Sequence, residues 1–234
     1  MFPQVVVVAG GLGTRLGPAY SNIPKILAPV NGKPFLVLQL EKLIDAGVEH
    51  VHYLLGYKSE LVISLLMESS FPIEISHTIE PPELLGTGGA LLNAIDELDK
   101  EFFLTYGDSY LLADFNAVNS RADHSGFSNT MCVTEAVDEE SFFNVCYSDG
   151  IVQRYTKNHK DSGNNALDYG LLKLQKSSIL RFKPSARNFD LSDLFNFLIN
   201  NNELYSLLVN DRYFDIGSPT RLRKLEEFLS EKRR

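Results

Sequence analysis

Blocks of apolar residues with two different spacings alternate along the first two thirds of the chain. Gln4–Ala9 is a continuous apolar run, the pattern of a central strand buried on both faces. A glycine-rich loop, 10–17, follows it. Pro34 then stands at a plausible first helical position, with Leu36, Leu40 and Leu43 at helical spacing and Gly47 as the stop. The same reading gives a strand over 51–55, a helix over 59–67 and a strand over 73–78. Gly86 to Gly89 opens a helix running to about Leu98, and the strand 102–106 ends in Gly107-Asp108. Repeated β-α units of this kind predict a mostly parallel sheet with right-handed crossovers.

After about residue 125 the pattern turns to strands, at 130–137, 144–148 and 151–156. Ser148-Asp149-Gly150 separates the last two and carries the Asp-Gly signal of a tight hairpin. A polar loop over 157–165 precedes a strand at 168–174, a helix at 191–199 and a short strand at 205–209. Tyr213 to Gly217 follows, and Pro219 starts a final helix to about Leu229. No internal repeat, low-complexity tract or interdomain linker interrupts the 234 residues. The expectation is one α/β domain over 1–234, with a nucleotide-type half over 1–125 and a β-rich half over 126–234 that forms the far wall of a pocket.

Composition narrows the function classes. With 44% hydrophobic and 22% charged residues the chain is of ordinary globular type, which excludes disorder, collagen and coiled coil as its main theme. No apolar run approaches the ~18 residues that span a bilayer. Met1-Phe2-Pro3-Gln4 lacks the features of a signal peptide. A net charge of -8 argues against a nucleic-acid or acidic-membrane partner. It leaves room for a small phosphorylated ligand, which needs only a few local cations and amides. Cys132 and Cys146 form no CxxC pair and read as free thiols, so the expected location is cytoplasmic. His50 and His52 share one strand face without a zinc pattern, and His77, His124 and His159 are isolated.

The strongest chemical signal is the run Ala9-Gly10-Gly11-Leu12-Gly13-Thr14-Arg15-Leu16-Gly17 directly after the first strand. Small residues there let the backbone approach a ligand, and consecutive amides can form an anion nest beside Arg15. It is no Walker A loop, since Thr-Arg-Leu stands where Gly-Lys-Ser/Thr is needed. It is no dinucleotide fingerprint either, because Leu16 replaces the third small residue. Pro24 holds the chain extended and so fixes where Lys25 projects, as a point charge suited to a phosphate.

The Gly-Gly-x-Gly-Thr-Arg-Leu pattern, with Pro24-Lys25 following, resembles the sugar-nucleotide pyrophosphorylases (nucleoside-diphosphate-sugar nucleotidyltransferases). The resemblance continues through Leu85-Gly86-Thr87-Gly88-Gly89-Ala90, Tyr106-Gly107-Asp108-Ser109 and Phe214-Asp215-Ile216-Gly217, in the family's order. Within the family the chain looks most similar to the heptose and mannose 1-phosphate guanylyltransferases. The resemblance implies a Rossmann-like mixed sheet flanked by helices, with the 1–125 half taking nucleotide and the 126–234 half taking sugar. It implies condensation of a nucleoside triphosphate with a sugar 1-phosphate, dependent on Mg²⁺, with homo-oligomerisation left open. Ala9, Gly10, Gly11, Gly13 and Thr14 are then expected to hold the nucleotide. Arg15 and Lys25 are expected to stabilise the reacting phosphates, and Asp108 and Asp215 to bind the metal. On the base side, Gly86 and Thr87 are expected to supply backbone and Glu80 to accept hydrogen bonds from a guanine or cytosine amino group, although Thr87 also reads as a simple helix cap. On the sugar side the resemblance points to Asn144, Lys157, Asp168 and Gly170. There Thr156 stands where the family has Glu, and Asp168-Tyr169 where it has Asn-Ala. Thymidylyl, uridylyl or cytidylyl transfer would use the same landmarks. The rivals are a catalytically silent regulatory subunit and a cytidylyltransferase acting on phosphocholine.

Overall fold

The computed structural model describes residues 2–232 except 12, 14, 15, 18, 19, 21, 137–141 and 158–162. In chain order its elements are β1 (Gln4–Ala9), β2 (Pro29–Val30), β3 (Lys33–Pro34), α1 (Phe35–Asp45), β4 (His50–Leu55), α2 (Ser59–Glu68), β5 (Glu74–Ile79) and α3 (Gly86–Asn93). Then come β6 (Glu101–Tyr106), β7 (Ser109–Leu111), α4 (Phe115–His124), β8 (Asn129–Thr134), β9 (Val145–Ser148) and β10 (Ile151–Tyr155). The chain continues through β11 (Leu167–Gln175), α5 (Lys176–Arg181), α6 (Leu191–Asn200), β12 (Leu204–Leu208), β13 (Tyr213–Asp215) and α7 (Pro219–Glu231).

Nine strands form one sheet in the order β5-β4-β1-β6-β11-β8-β12-β10-β9. The first four are mutually parallel. β11 runs antiparallel to both β6 and β8, β8 and β12 are parallel, and β10 is antiparallel to its neighbours β12 and β9. The Rossmann-like mixed sheet expected from the sequence is what the chain forms.

β1 shows why its sequence is apolar without alternation. Val5 and Val7 pack with Leu36, Leu40 and Leu43 of α1 on one face. Val6 points the other way, into a cluster with Ala90, Leu91, Leu194 and Leu198 from α3 and α6. All three valines are fully buried, each contributing about 1.5–3 kcal/mol of burial free energy.

Most boundaries fall within two residues of the expected ones, and the differences have local causes. Pro34 caps α1 rather than opening it, since its ψ of 135° is extended and Phe35 is the first helical residue. The helix expected over 86–98 ends at Asn93 and continues as a 3-10 turn at Ile95–Glu97. The strand expected over 130–137 ends at Thr134, and Val137 lies outside the described residues. α4 went unpredicted because its apolar stripe is thin, yet Asp114 caps it by accepting from the amides of Asn116 and Ala117. The Asp-Gly hairpin forms as expected: Asp149 and Gly150 have φ of 52° and 76°, as a type I′ turn requires. Cys132 is buried and Cys146 half-buried, and both are free thiols. Among the described residues, no helix is long and apolar enough to cross a membrane.

Candidate active site

The parallel strands β1, β4, β5 and β6 end at one rim, and the polar residues that follow them converge there. This is where open α/β sheets bind ligands. The Gly107 amide donates to the Val8 carbonyl at 2.8 Å and the Glu80 amide to the Leu55 carbonyl at 2.7 Å, so the strand ends are tied together. Glu80 leans over Gly10, where a β-carbon would collide with its Oε1. Its Oε2 accepts from the Leu85 amide at 3.1 Å. Burial pushes the Glu80 carboxyl above its ordinary pKa, and the Leu85 amide opposes that.

Lys25 sits on a 3-10 turn, Lys25–Leu27, anchored by buried Ile26 and entered through extended Pro24. Gly13, at φ 65°, lies against its stem, and a β-carbon there would approach Lys25 Cβ to 2.9 Å. The Lys25 ammonium pairs with Asp108 Oδ2. Asp108 occupies the turn between β6 and β7. β7 pairs antiparallel with β13, and this brings Asp215 opposite Ser109. Asp215 Oδ1 accepts from the Gly217 amide at 2.7 Å, and its Oδ2 pairs with Arg221 Nη1 at 2.5 Å. Burial first, and the neighbouring Asp108 second, raise the Asp215 carboxyl above its ordinary pKa, while Arg221, the Gly217 amide and Lys25 pull the other way. Lys25, Asp108 and Asp215 thus form one cluster, with acid and base in contact.

The sugar-side candidates form a second group beside it. The Tyr106 hydroxyl donates to Asp168 Oδ2 at 3.0 Å, and the Gly170 amide donates to Asp168 Oδ1 at 2.9 Å. Asn144 Oδ1 accepts from the Asp168 amide at 2.8 Å. Burial raises the Asp168 carboxyl, opposed by the Gly170 amide, the Tyr106 and Tyr155 hydroxyls and Lys157. Lys157 itself pairs with Asp190 Oδ2 at 2.6 Å. Burial works against ionisation of Asp190, but Lys157 and the Ser192 amide outweigh it and hold this carboxyl below the usual range.

Thr87 is no helix cap. α3 begins after Leu85 without a side-chain cap, and the Thr87 hydroxyl donates instead to Asp190 Oδ2 at 3.1 Å. The glycines around it serve close packing, since β-carbons at Gly86 and Gly88 would strike Phe189. Ala9, Gly10, Gly11 and Gly13 lie at the rim, whereas Thr14 and Arg15 fall outside the described residues.

Sequence reasoning missed Tyr106, Tyr155, Asp190 and Arg221. Asp190 had a readable signal, because Asp190 and Asp193 form the capping box of α6. Arg221 had one too: Pro219 at the start of a helix puts residue 221 in the first turn, facing back toward Asp215.

The chain as a whole resembles known proteins. The nucleotidyl transferase family model matches residues 4–232. The mannose-1-phosphate guanyltransferase of Schizosaccharomyces pombe is 28% identical over 228 residues, covering 92% of this chain and 61% of that protein. The chain therefore spans about three fifths of the length of that relative. The D-glycero-alpha-D-manno-heptose 1-phosphate guanylyltransferase of Campylobacter jejuni is 28% identical over 222 residues, covering 92% of this chain and 95% of that one. The crystal structure of HddC from Yersinia pseudotuberculosis complexed with GMP-PN superposes with a TM-score of 0.83 at 26% identity, covering 97% of this chain and 99% of that one.

Proposed function

The chain belongs to the nucleotidyl transferase family, and from that premise we propose that it joins a nucleoside triphosphate to a sugar 1-phosphate, releasing pyrophosphate. The observation that carries the reading is the meeting of Lys25, Asp108 and Asp215 at one rim of the sheet. The nucleophile would be a phosphate monoester oxygen. With a second pKa of ~6 it is mostly dianionic at neutral pH and needs no general base. The protein's task is to align two anions that repel each other and to offset their charge.

In this reading Asp108 and Asp215 would hold Mg²⁺. The donor chemistry fits that ion: two carboxylates, the acid of the turn after β6 and the acid opposite Ser109, come together at one rim, and hard oxygen donors of this kind would hold Mg²⁺ together with substrate phosphates. When bound, the ion supplies positive charge to the phosphoryl oxygens. Lys25 contributes a fixed cation beside them, and its position is set by the Gly13 backbone and by Asp108.

We read the base as guanine. The Glu80 carboxylate accepts from the Leu85 amide through Oε2 and leans with Oε1 over Gly10, and an acceptor at the rim suits the N1–H and N2 amino donors of guanine. Uracil and thymine present one N–H between two carbonyls and would be repelled. The names of the guanyltransferase relatives support the same choice, and they point to mannose or heptose 1-phosphate as acceptor. A pyrophosphate-release assay across GTP, UTP, dTTP and CTP, each with mannose, heptose and glucose 1-phosphates, tests both levels. GTP-dependent release is expected. Preference for UTP or dTTP overturns the base assignment, and release with none of the pairs overturns the activity.

A further inference from the structure

We propose that Arg221 is a phosphate ligand of this site, held by Asp215 so that its guanidinium faces the same phosphoryl oxygens as Lys25. The proposal rests on the reading of the site as a nucleotidyltransferase centre. Asp108 and Asp215 bring two negative charges to a cleft that must also accept two anions. Lys25 stands on Asp108 and Arg221 stands on Asp215, so each acid carries its own cation. Both cations act on the same acid: Lys25 Nζ lies 3.7 Å from where a Gly217 β-carbon would be, the Gly217 amide binds Asp215 Oδ1, and Arg221 pairs with Asp215 Oδ2. The pairs are sheltered, with the Arg221 and Asp215 side chains 24% and 16% exposed.

The backbone aims the group. β13 delivers Asp215, Ser218 caps the following helix by accepting from the Arg221 amide at 3.3 Å, and Arg221 leaves the first turn of α7 toward the rim. A guanidinium carries five N–H donors in a planar fork, and that shape can hold a carboxylate and a phosphate oxygen together. An ammonium at this position could not span both in one plane.

The test is titration calorimetry with inorganic pyrophosphate and with GTP, each with and without Mg²⁺, on the unaltered protein and Arg221→Met. With Mg²⁺, Arg221→Met is expected to weaken pyrophosphate binding at least about tenfold, the usual scale of a lost charge-assisted contact. Without Mg²⁺ it is expected to cost a similar factor. A guanidinium that only braced Asp215 as a metal ligand would change nothing once the metal is absent, so an unchanged affinity there overturns the proposal. Arg221→Lys, which keeps charge and helix, is expected to recover only part of the loss, and full recovery overturns the need for a planar fork. If Arg221→Met does not fold, Arg221→Gln and Arg221→Lys carry the same comparison. If the unaltered protein turns over normally and Arg221→Met binds pyrophosphate equally well, this inference alone falls. If the unaltered protein binds neither ligand, the proposed function falls and takes this inference with it.

Discussion

The Ile216 amide donates to the Asp108 carbonyl at 3.0 Å. That bond locks the turn after β6 to the end of β13, so two acids distant in sequence share one rim. If they act together, removing either charge while keeping its shape should be costly. Asp108→Asn and Asp215→Asn are each expected to lower turnover by at least ~100-fold while circular dichroism and melting temperature stay near those of the unaltered protein. Lys25→Met should do likewise, and excess EDTA should abolish the activity of the unaltered protein. Near-normal turnover in either aspartate variant would remove that residue from the site.

Glu80→Gln replaces one acceptor by a donor without changing size. If Glu80 reads guanine, kcat/KM for GTP should drop by about tenfold or more relative to UTP, because a donor then faces a donor. An unchanged GTP:UTP ratio would move base selection elsewhere.

His52 links stability to pH. Its ring lies between the Ser76 hydroxyl at 2.7 Å and the Thr78 hydroxyl at 2.9 Å. Burial, then the nearby His50 and His77, lower its pKa from 6.5 to about 4. The unfolded chain therefore takes up a proton below 6.5 that the folded chain refuses until about 4. Stability from this group is whole above pH 6.5 and declines as pH falls toward 4. Urea midpoints of His52→Gln measured across that interval should show a shallower slope than those of the unaltered protein.

Lys173 is a buried cation at the sheet centre, 5% exposed, paired with Glu101 at 2.9 Å and with Asp123. Lys173→Met keeps the stem and strands two carboxylates. Both acids are partly exposed, so the cost should sit below that of a fully buried pair, about 2 kcal/mol by urea unfolding. No loss of stability would show that solvent satisfies both acids.

The half of the sheet nearest the N-terminus was legible because its signals are local. The unbroken Val5–Val8 run needs cover on both faces, and Asp149-Gly150 can hardly be anything but a hairpin turn. The meeting of Lys25, Asp108 and Asp215 was legible through motif order. What stayed hidden depends on contacts between distant segments. Nothing in the sequence near Lys157 announces Asp190 as its partner, and nothing near Asp168 announces the Tyr106 hydroxyl. The glycines of 86–89 were legible as a close-approach site, but what approaches Gly86 and Gly88 is the chain's own Phe189.

The reversal of β11 against β6 settles where the late part of the chain contributes. Leu171 sits opposite Thr105, so the opening residues of β11, Asp168 and Gly170, emerge beside Tyr106 and Ser109. A parallel β11 would have delivered them to the far edge of the sheet. Because of that reversal, the segment entering β11 meets the rim from the opposite direction to β6, tied to it by the Tyr106–Asp168 and Thr105–Gly170 hydrogen bonds. The wall that β11 contributes is therefore built independently of the turn and the strand that carry the two aspartates.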